Sequence, residues 1–252
     1  MADQPGIIAG RNPVREALER GERSIEKVLL AKGASGRPVD AIRRAAKEAG
    51  VPVQFVPQPK LNALAPGVNH QGAVAVAAAV DYADLEAMLH GIAADPDVVR
   101  ERKPVLVALD GIEDPHNFGA ILRSAVAAGA AGVIVPERNQ APLGTTAVKA
   151  SAGTATRIPV ARVTNLGNAL VQLKERGYWI VGLDGEGEET VWTLDWDRAV
   201  VLVVGSEGKG LGARVRDLCD HRVAIPLRGP AESLNASVAT GVALFAAVRE
   251  RA

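Results

Sequence analysis

Three stretches of the 252-residue chain gather side chains that suit chemistry. The first reads Asp110-Gly111-Ile112-Glu113-Asp114-Pro115-His116-Asn117-Phe118-Gly119, with Arg123 shortly after it. Asp114-Pro115 and Asn117 suit a turn and a helix cap as well as a site. Arg123 stands among Ala120, Ile121, Leu122, Ala125 and Val126, so its permanent cation points to a pocket or a partner. The second stretch reads Gly205-Ser206-Glu207-Gly208-Lys209-Gly210-Leu211-Gly212. Its glycines permit a close backbone approach to a ligand, around one carboxylate. It is not a phosphate-binding Walker loop, because Leu211 stands where a lysine is required. Gly208 to Ala213 fits a loose dinucleotide fingerprint, but it comes late in the chain, and the next strand ends at Pro226-Leu227-Arg228 with no acid to hold a ribose. The third stretch runs from Ile225 through Ser233-Leu234-Asn235-Ala236-Ser237 to Ala239. Helix capping explains one of Ser233, Asn235 and Ser237; all three at the start of an apolar helix point to the polar lining of a ligand site.

Each stretch follows an apolar run that reads as a strand: Val105 to Leu109, Val200 to Val204 and Val223 to Ile225. Further strands are expected at Gly132 to Val135 and Trp179 to Leu183. Helices are expected at Phe118 to Ala128, Leu166 to Arg176, Leu211 to Cys219 and Ser237 to Arg251. Continuous apolar strands alternating with helices predict a parallel sheet covered on both faces, with ligands bound beyond the carboxyl ends of its strands. Upstream, helices at Pro13 to Arg20 and Val39 to Ala49, with strands at Lys27 to Ala31, Val53 to Val56 and Ala73 to Val80, outline a small α/β domain. Trp179 opens an apolar strand and is expected in the core, while the surroundings of Trp192 and Trp196 favour neither burial nor base stacking.

Composition bounds the function. With 48% hydrophobic and 23% charged residues the chain is globular, and Cys219 alone excludes an intrachain disulfide or a cysteine-based zinc site. No long apolar window or secretion signal is present, so a cytoplasmic protein away from membranes is expected. Lys+Arg and Asp+Glu balance at 29 each, which at first argues against a nucleic-acid partner. The balance is uneven along the chain. Residues 1–80 hold 11 Lys+Arg against 7 Asp+Glu, and residues 81–100 hold Arg100 against five acids. A basic domain at 1–80, an acidic linker at 81–100 and a second domain at 101–252 are therefore expected.

In their order, the three stretches resemble the motifs of the SpoU (TrmH) family of RNA 2′-O-ribose methyltransferases. The family pattern Asn-x-Gly-x-x-x-Arg falls at Asn117 to Arg123, Gly-x-Glu-x-x-Gly at Gly205 to Gly210, and Ile-Pro with Ser-Leu-Asn-x-Ser-Val-Ala at Ile225 to Ala239. Gly10-Arg11-Asn12-Pro13-Val14-Arg15-Glu16-Ala17-Leu18, His70-Gln71-Gly72 and Arg162-Val163-Thr164-Asn165-Leu166 are similar to the subgroup that methylates a guanosine ribose in 23S ribosomal RNA. The resemblance implies a small N-terminal L30e-like α/β RNA-binding domain before a SPOUT-type α/β domain with a parallel sheet and a C-terminal trefoil knot. It further implies a homodimer, S-adenosyl-L-methionine as cofactor and no metal. By the same resemblance, Arg123 is central to the catalytic site, with Asn117 positioning it and Ser233 and Asn235 completing it, and Gly205, Ile225 and Leu234 match the cofactor contacts. Leu227, adjacent to them, adds apolar surface for an adenine ring, Glu207 is the other catalytic candidate, and Arg11, Arg15 and Arg123 are candidates for RNA contact.

Methyl transfer to a ribose hydroxyl needs a donor held in line and a group to take the proton. A guanidinium, with a pKa above about 12, is a poor base. Arg123 is therefore read as a phosphate clamp that orients the ribose, and the proton acceptor stays open, with His116 the weaker option. Other readings are a transfer-RNA ribose methyltransferase of the same family and a non-catalytic RNA-binding protein of ribosome assembly. A nicotinamide-dependent oxidoreductase comes last.

Overall fold

The computed structural model describes residues 6–20 and 25–249. The chain divides into two compact units, Met1–Asp81 with Pro142–Thr145, and Tyr82–Ala141 with Thr146–Ala252.

The first unit is built from β1 (Ile7–Ala9), α1 (Arg11–Arg20), β2 (Ile25–Ala31), α2 (Arg37–Glu48), β3 (Val53–Val56), α3 (Gln58–Leu64) and β4 (Ala73–Ala77). Its sheet runs β1-β4-β2-β3, parallel between β2 and β3 and antiparallel elsewhere. Strand periodicity explains the layering. Val28 and Leu30 pack with Val14, Val39 and Ile42 of the two long helices, while Leu29 and Ala31 point the other way, onto Leu61 of α3. Three-residue β1 and Pro59-containing α3 carry no periodic signal, and neither is expected from the sequence.

The second unit opens with a correction. Residues 81–100, expected as an acidic linker, hold α4 (Leu85–Ile92) and much of α5 (Pro96–Arg102). Asp84 and Asp95 are the N-caps, their side chains accepting from Ala87 N and from Asp97 and Val98 N. Met88, Leu89, Ala93 and Val99 are buried in the core of this unit. The acids that suggested a connector are caps and first-turn charges, placed where the helix dipole favours them.

The unit continues through β5 (Val105–Asp110), α6 (Pro115–Ala127), β6 (Gly132–Pro136), α7 (Thr145–Ala150), β7 (Val160–Val163), α8 (Leu166–Glu175), β8 (Trp179–Leu183), β9 (Glu189–Thr190), β10 (Val200–Gly205), α9 (Ala213–Leu218), β11 (His221–Ala224) and α10 (Ala236–Val248). The last helix is expected from the sequence to reach Arg251, which lies outside the described residues. The seven strands are ordered β7-β6-β5-β10-β8-β11-β9, and every pair is parallel. Leu106, Ala108, Val201 and Val203 face the core shared with α4, α5, α8 and α9. The alternate residues Val107, Leu109, Leu202 and Val204 are equally buried, on the face where α6 and α10 pack.

The order of strands locates the ligand crevice. From β5 the chain moves outward through β6 to β7, then returns to the other side of β5 for β8, and β10 later enters between them. Crevices form at such switch points, beyond the carboxyl ends. Gly205 is the register partner of Asp110, so the loops after β5 and β10 leave the sheet side by side.

Trp179 corrects another expectation. It is 40% exposed, stacked on His221 with ring centroids 5.2 Å apart, with the Arg198 guanidinium 4.3 Å from its ring centre. It is the first residue of β8, and the four that follow it are buried or partly buried. Trp196 is buried and donates from Nε1 to Val191 O at 2.9 Å, whereas Trp192 is half exposed. Among the described residues no helix is long and apolar enough to cross a membrane.

Candidate functional site

The three motif stretches meet through one carboxylate oxygen. Glu207 Oε1 accepts from Asn117 Nδ2 at 2.8 Å, from Asn235 Nδ2 at 2.7 Å and from Ala236 N at 3.3 Å. Asn235 Nδ2 also donates to Asn117 Oδ1 at 2.9 Å, which closes a triangle of side chains from three separate segments. The amide orientations follow from the helix cap. Asn235 Oδ1 accepts from Ser237 N at 2.9 Å, Val238 N at 3.3 Å and Ser237 Oγ at 2.6 Å, so Asn235 must present nitrogen to the other two residues. Asn235 thus caps α10 with its oxygen and joins the loops with its nitrogen. Glu207 Oε2 makes no hydrogen bond among the described residues and remains a free acceptor at an exposed position.

The glycines of the second stretch serve the loop itself. A Cβ at Gly205 would lie 2.2 Å from Gly210 C and 2.5 Å from Leu211 N, inside the loop's own backbone. The side-chain position that Gly205 leaves open is filled by the returning chain of its own loop. Ser206 N donates to Gly210 O at 3.1 Å and Gly210 N to Ser206 O at 2.9 Å, closing a short turn in which Gly208 and Gly210 have φ of +82° and +64°. Glu207 rides on this turn. Its base is pinned by Asp110, whose Oδ2 accepts from Gly212 N at 2.7 Å. Asp110 is a positioning residue that the sequence leaves unassigned; an acid ending an otherwise apolar strand is the signal for it.

Gly119, the glycine of the first motif, also has a packing role. A Cβ there would sit 2.3 Å from Ala147 O and 2.6 Å from Ala150 Cβ, so α6 can lie against α7 only with glycine at this position. Asp114 caps α6, accepting from His116 N at 2.9 Å, and the exposed His116 side chain has no described partner. A pocket of about 280 Å³ lies between the loops after β5 and β10, lined by Ile112, Glu113, Asn117, Glu207 and Lys209 among others.

Arg123 and Ser233 stand outside the triangle. Arg123 is exposed on α6 and forms no hydrogen bond or ion pair among the described residues. It follows Asn117 by six positions, which on a helix is about 9 Å along the axis. A long cation left free suits an anion that arrives with a ligand. Ser233 lies in the exposed segment Pro226 to Leu234, which forms no hydrogen bond among the described residues. Within it Leu227 and Leu234 keep 41% and 37% of their surfaces exposed, and Ile225, at the end of β11, is half-buried. Apolar side chains beside unbonded backbone N–H and C=O groups fit a flat aromatic ring with a polar edge.

In the first unit, Arg11 and the His70-Gln71-Gly72 segment come together: Arg11 Nε donates to Gln71 O at 2.9 Å, and Gly10 N donates to Ala73 O at 2.9 Å. Arg15 instead pairs with Glu19 on its own helix at 3.6 Å.

An α/β domain with a parallel sheet, and with polar loops joined over its switch point, defines a ligand-binding or group-transfer domain. Similarity to known proteins narrows the class. Residues 104–245 match the SpoU rRNA methylase family, and residues 7–83 match the substrate-binding domain of RNA 2′-O ribose methyltransferases. A Bacillus subtilis protein named as the TrmH family tRNA/rRNA methyltransferase YacO is 40% identical over 251 residues, covering 100% of this chain and 98% of that one. The SpoU methyltransferase AviRb of Streptomyces viridochromogenes, solved in complex with AdoMet, is 27% identical with a TM-score of 0.61, over 97% of this chain and 90% of that one. An AdoMet-bound rRNA methyltransferase of Sinorhizobium meliloti is 26% identical with a TM-score of 0.59, over 97% and 87% of the two chains. The chain belongs to the SpoU (TrmH) family of RNA methyltransferases.

Proposed function

We propose that this chain transfers a methyl group from S-adenosyl-L-methionine to the ribose 2′-hydroxyl of a guanosine in 23S ribosomal RNA. The observation that carries the reading is the hydrogen-bonded triangle of Asn117, Glu207 and Asn235, which ties all three motif stretches into one site. The match of residues 7–83 to a ribose-methyltransferase substrate-binding domain supports RNA as the acceptor.

The cofactor supplies a methyl group on a positively charged sulfur. Ile225, Leu227 and Leu234 would offer apolar surface to its adenine, and the unbonded backbone of Pro226 to Leu234 would supply polar groups to the ring edge. On the acceptor side, Arg123 clamps a phosphate and so orients the ribose. Asn117 and Asn235 hold Glu207 by one oxygen, which leaves Oε2 to accept the hydroxyl proton or to direct it to water. Ser233 completes the acceptor side from the third stretch. Val238 and Phe245, both 52% exposed on α10, form an apolar face that a second copy covers in a homodimer. The C-terminal trefoil knot and the cytoplasmic location belong to the same reading.

Incubation with labelled S-adenosylmethionine and undermodified ribosomal RNA, followed by reverse transcription at low nucleotide concentration, tests it. A single strong stop in 23S RNA is expected. Label in transfer RNA alone would replace the substrate assignment, and no label in either RNA would end the enzymatic reading.

A further inference from the structure

The amino-terminal unit holds a pocket of about 580 Å³ that the catalytic reading does not use. Arg11, Lys32, Asn62, Asn69, His70 and Gln71 contribute to its lining, which contains two permanent cations and no acid. Lys32 is exposed, and its ammonium has no partner among the described residues. Arg11 uses Nε on Gln71 O at 2.9 Å, so its position is fixed while its terminal nitrogens stay free.

The polar frame behind these cations is built, and its donors are determined. His70 is 5% exposed, and its Nδ1 accepts from Gly72 N at 3.1 Å, so the proton of the neutral ring sits on Nε2 and is donated to Asn62 Oδ1 at 2.8 Å. Asn62 therefore offers its amide nitrogen to a ligand. Asn69 Oδ1 accepts from Gln71 N at 3.3 Å, which leaves its amide nitrogen free as well. Gln71 itself has φ of +49°, a conformation uncommon outside glycine, and that kink aims its carbonyl at Arg11. Val68, 53% exposed, adds an apolar surface to the lining. Unpaired cations, outward amide donors and one apolar face in a pocket of this volume match a phosphate joined to a flat heterocycle.

We infer that this pocket receives one unpaired nucleotide of the RNA substrate. Lys32 and Arg11 hold its phosphate, the amides of Asn62, Asn69 and Gln71 bond to its base edge, and Val68 packs on its face. The inference rests on RNA being the substrate, as proposed above. Base edges in a continuous A-form helix are out of reach of such a pocket, whereas an extruded base is not. The amino-terminal unit would thus select RNA that carries an unpaired residue.

Binding of the full chain to two fluorescent RNA hairpins, identical except for one bulged nucleotide, tests this by anisotropy. The wild-type chain is expected to prefer the bulged hairpin by roughly tenfold or more. Lys32→Ala, at an exposed residue with no partner to lose, should weaken bulged-hairpin binding roughly tenfold, lower its salt slope by about one, and leave paired-hairpin binding unchanged. Arg11→Lys should act in the same direction. Equal wild-type affinity for the two hairpins, or an unchanged preference in Lys32→Ala, overturns the inference. Competition by a comparable concentration of free guanosine monophosphate also overturns it, in favour of a small-molecule site. A chain that prefers bulged RNA but transfers no methyl group would keep the pocket and refute the enzymatic function; one that methylates RNA with no preference would do the reverse.

Discussion

Asn235→Asp isolates the bonds that join the three motif stretches, because it keeps side-chain shape and helix capping while reversing the role of one atom. Oδ1 of Asn235 accepts from Ser237 N and Val238 N, and an aspartate caps a helix as well as asparagine does. Its Nδ2, however, lies 2.7 Å from Glu207 Oε1 and 2.9 Å from Asn117 Oδ1, so the substitution places an anionic oxygen against two acceptors. Two unit charges 2.7 Å apart repel by about 1.5 kcal/mol at the dielectric constant of water and about 6 kcal/mol at an effective value of 20. Since Glu207 and Asn235 are both exposed, the lower part of that range applies, about 2 kcal/mol. Repulsion raises the affinity of the carboxylate pair for one proton, and a shared proton restores the bond. The variant's deficit must therefore be largest above neutrality and shrink as the pH falls through the carboxylate range. Thermal unfolding and methyl transfer at pH 5.5 and pH 8 measure this. The unfolding temperature should fall by roughly 4–8 °C at pH 8 and recover in part at pH 5.5, with transfer at pH 8 reduced at least about tenfold. Asn235→Ala should lose about 1 kcal/mol of capping without any recovery on acidification. An Asn235→Asp chain that matches the wild type at pH 8, or whose deficit grows in acid, would show that these bonds do not hold the loops together.

Arg123→Ala should lower methyl transfer by roughly a hundredfold or more while calorimetry still records cofactor binding, since Arg123 has no bond to the segment Pro226 to Leu234. Gly119→Ala should destabilise the fold by about 1–3 kcal/mol in a denaturant titration, because its methyl group would lie 2.3 Å from Ala147 O. The Cys219 thiol is pushed up from 9.0 to about 11, chiefly by burial and next by the charge of Asp220, so alkylation at pH 8 should run about a hundredfold slower than in the unfolded chain. Burial disfavours its thiolate in the folded state, so the stability present below pH 9.0 declines as the pH rises towards about 11.

Strong local signals made much of this protein legible from its sequence. The continuous apolar strands Val105–Asp110 and Val200–Gly205 announce a sheet buried on both faces, and the sheet is parallel throughout. Asn117, Glu207 and Asn235 are picked out by the three motifs taken together, and the fold joins them by hydrogen bonds. What escaped the sequence depends on tertiary partners. The segment 81–100 reads as a connector because five acids mask the spacing of Leu85, Met88 and Leu89, which only a facing sheet makes decisive. The four residues of β7 form a strand because β6 offers its edge to them. Gly205 reads as room for a ligand and Gly119 as one position of a motif, and only the folded chain brings up the atoms that exclude a side chain at each. The pocket around His70 joins residues 11, 32, 62 and 71, which no local window brings together.

Whether the chain is a guanosine ribose methyltransferase can be decided by mass spectrometry of nucleosides from RNA that the purified chain has methylated. Undermodified 23S RNA, incubated with a deuterated-methyl form of S-adenosylmethionine and digested to nucleosides, should yield heavy 2′-O-methylguanosine, with the yield from the Arg123→Ala chain lower by roughly a hundredfold or more. A heavy methyl group on a base, on a different ribonucleoside, or on no nucleoside at all would overturn that function.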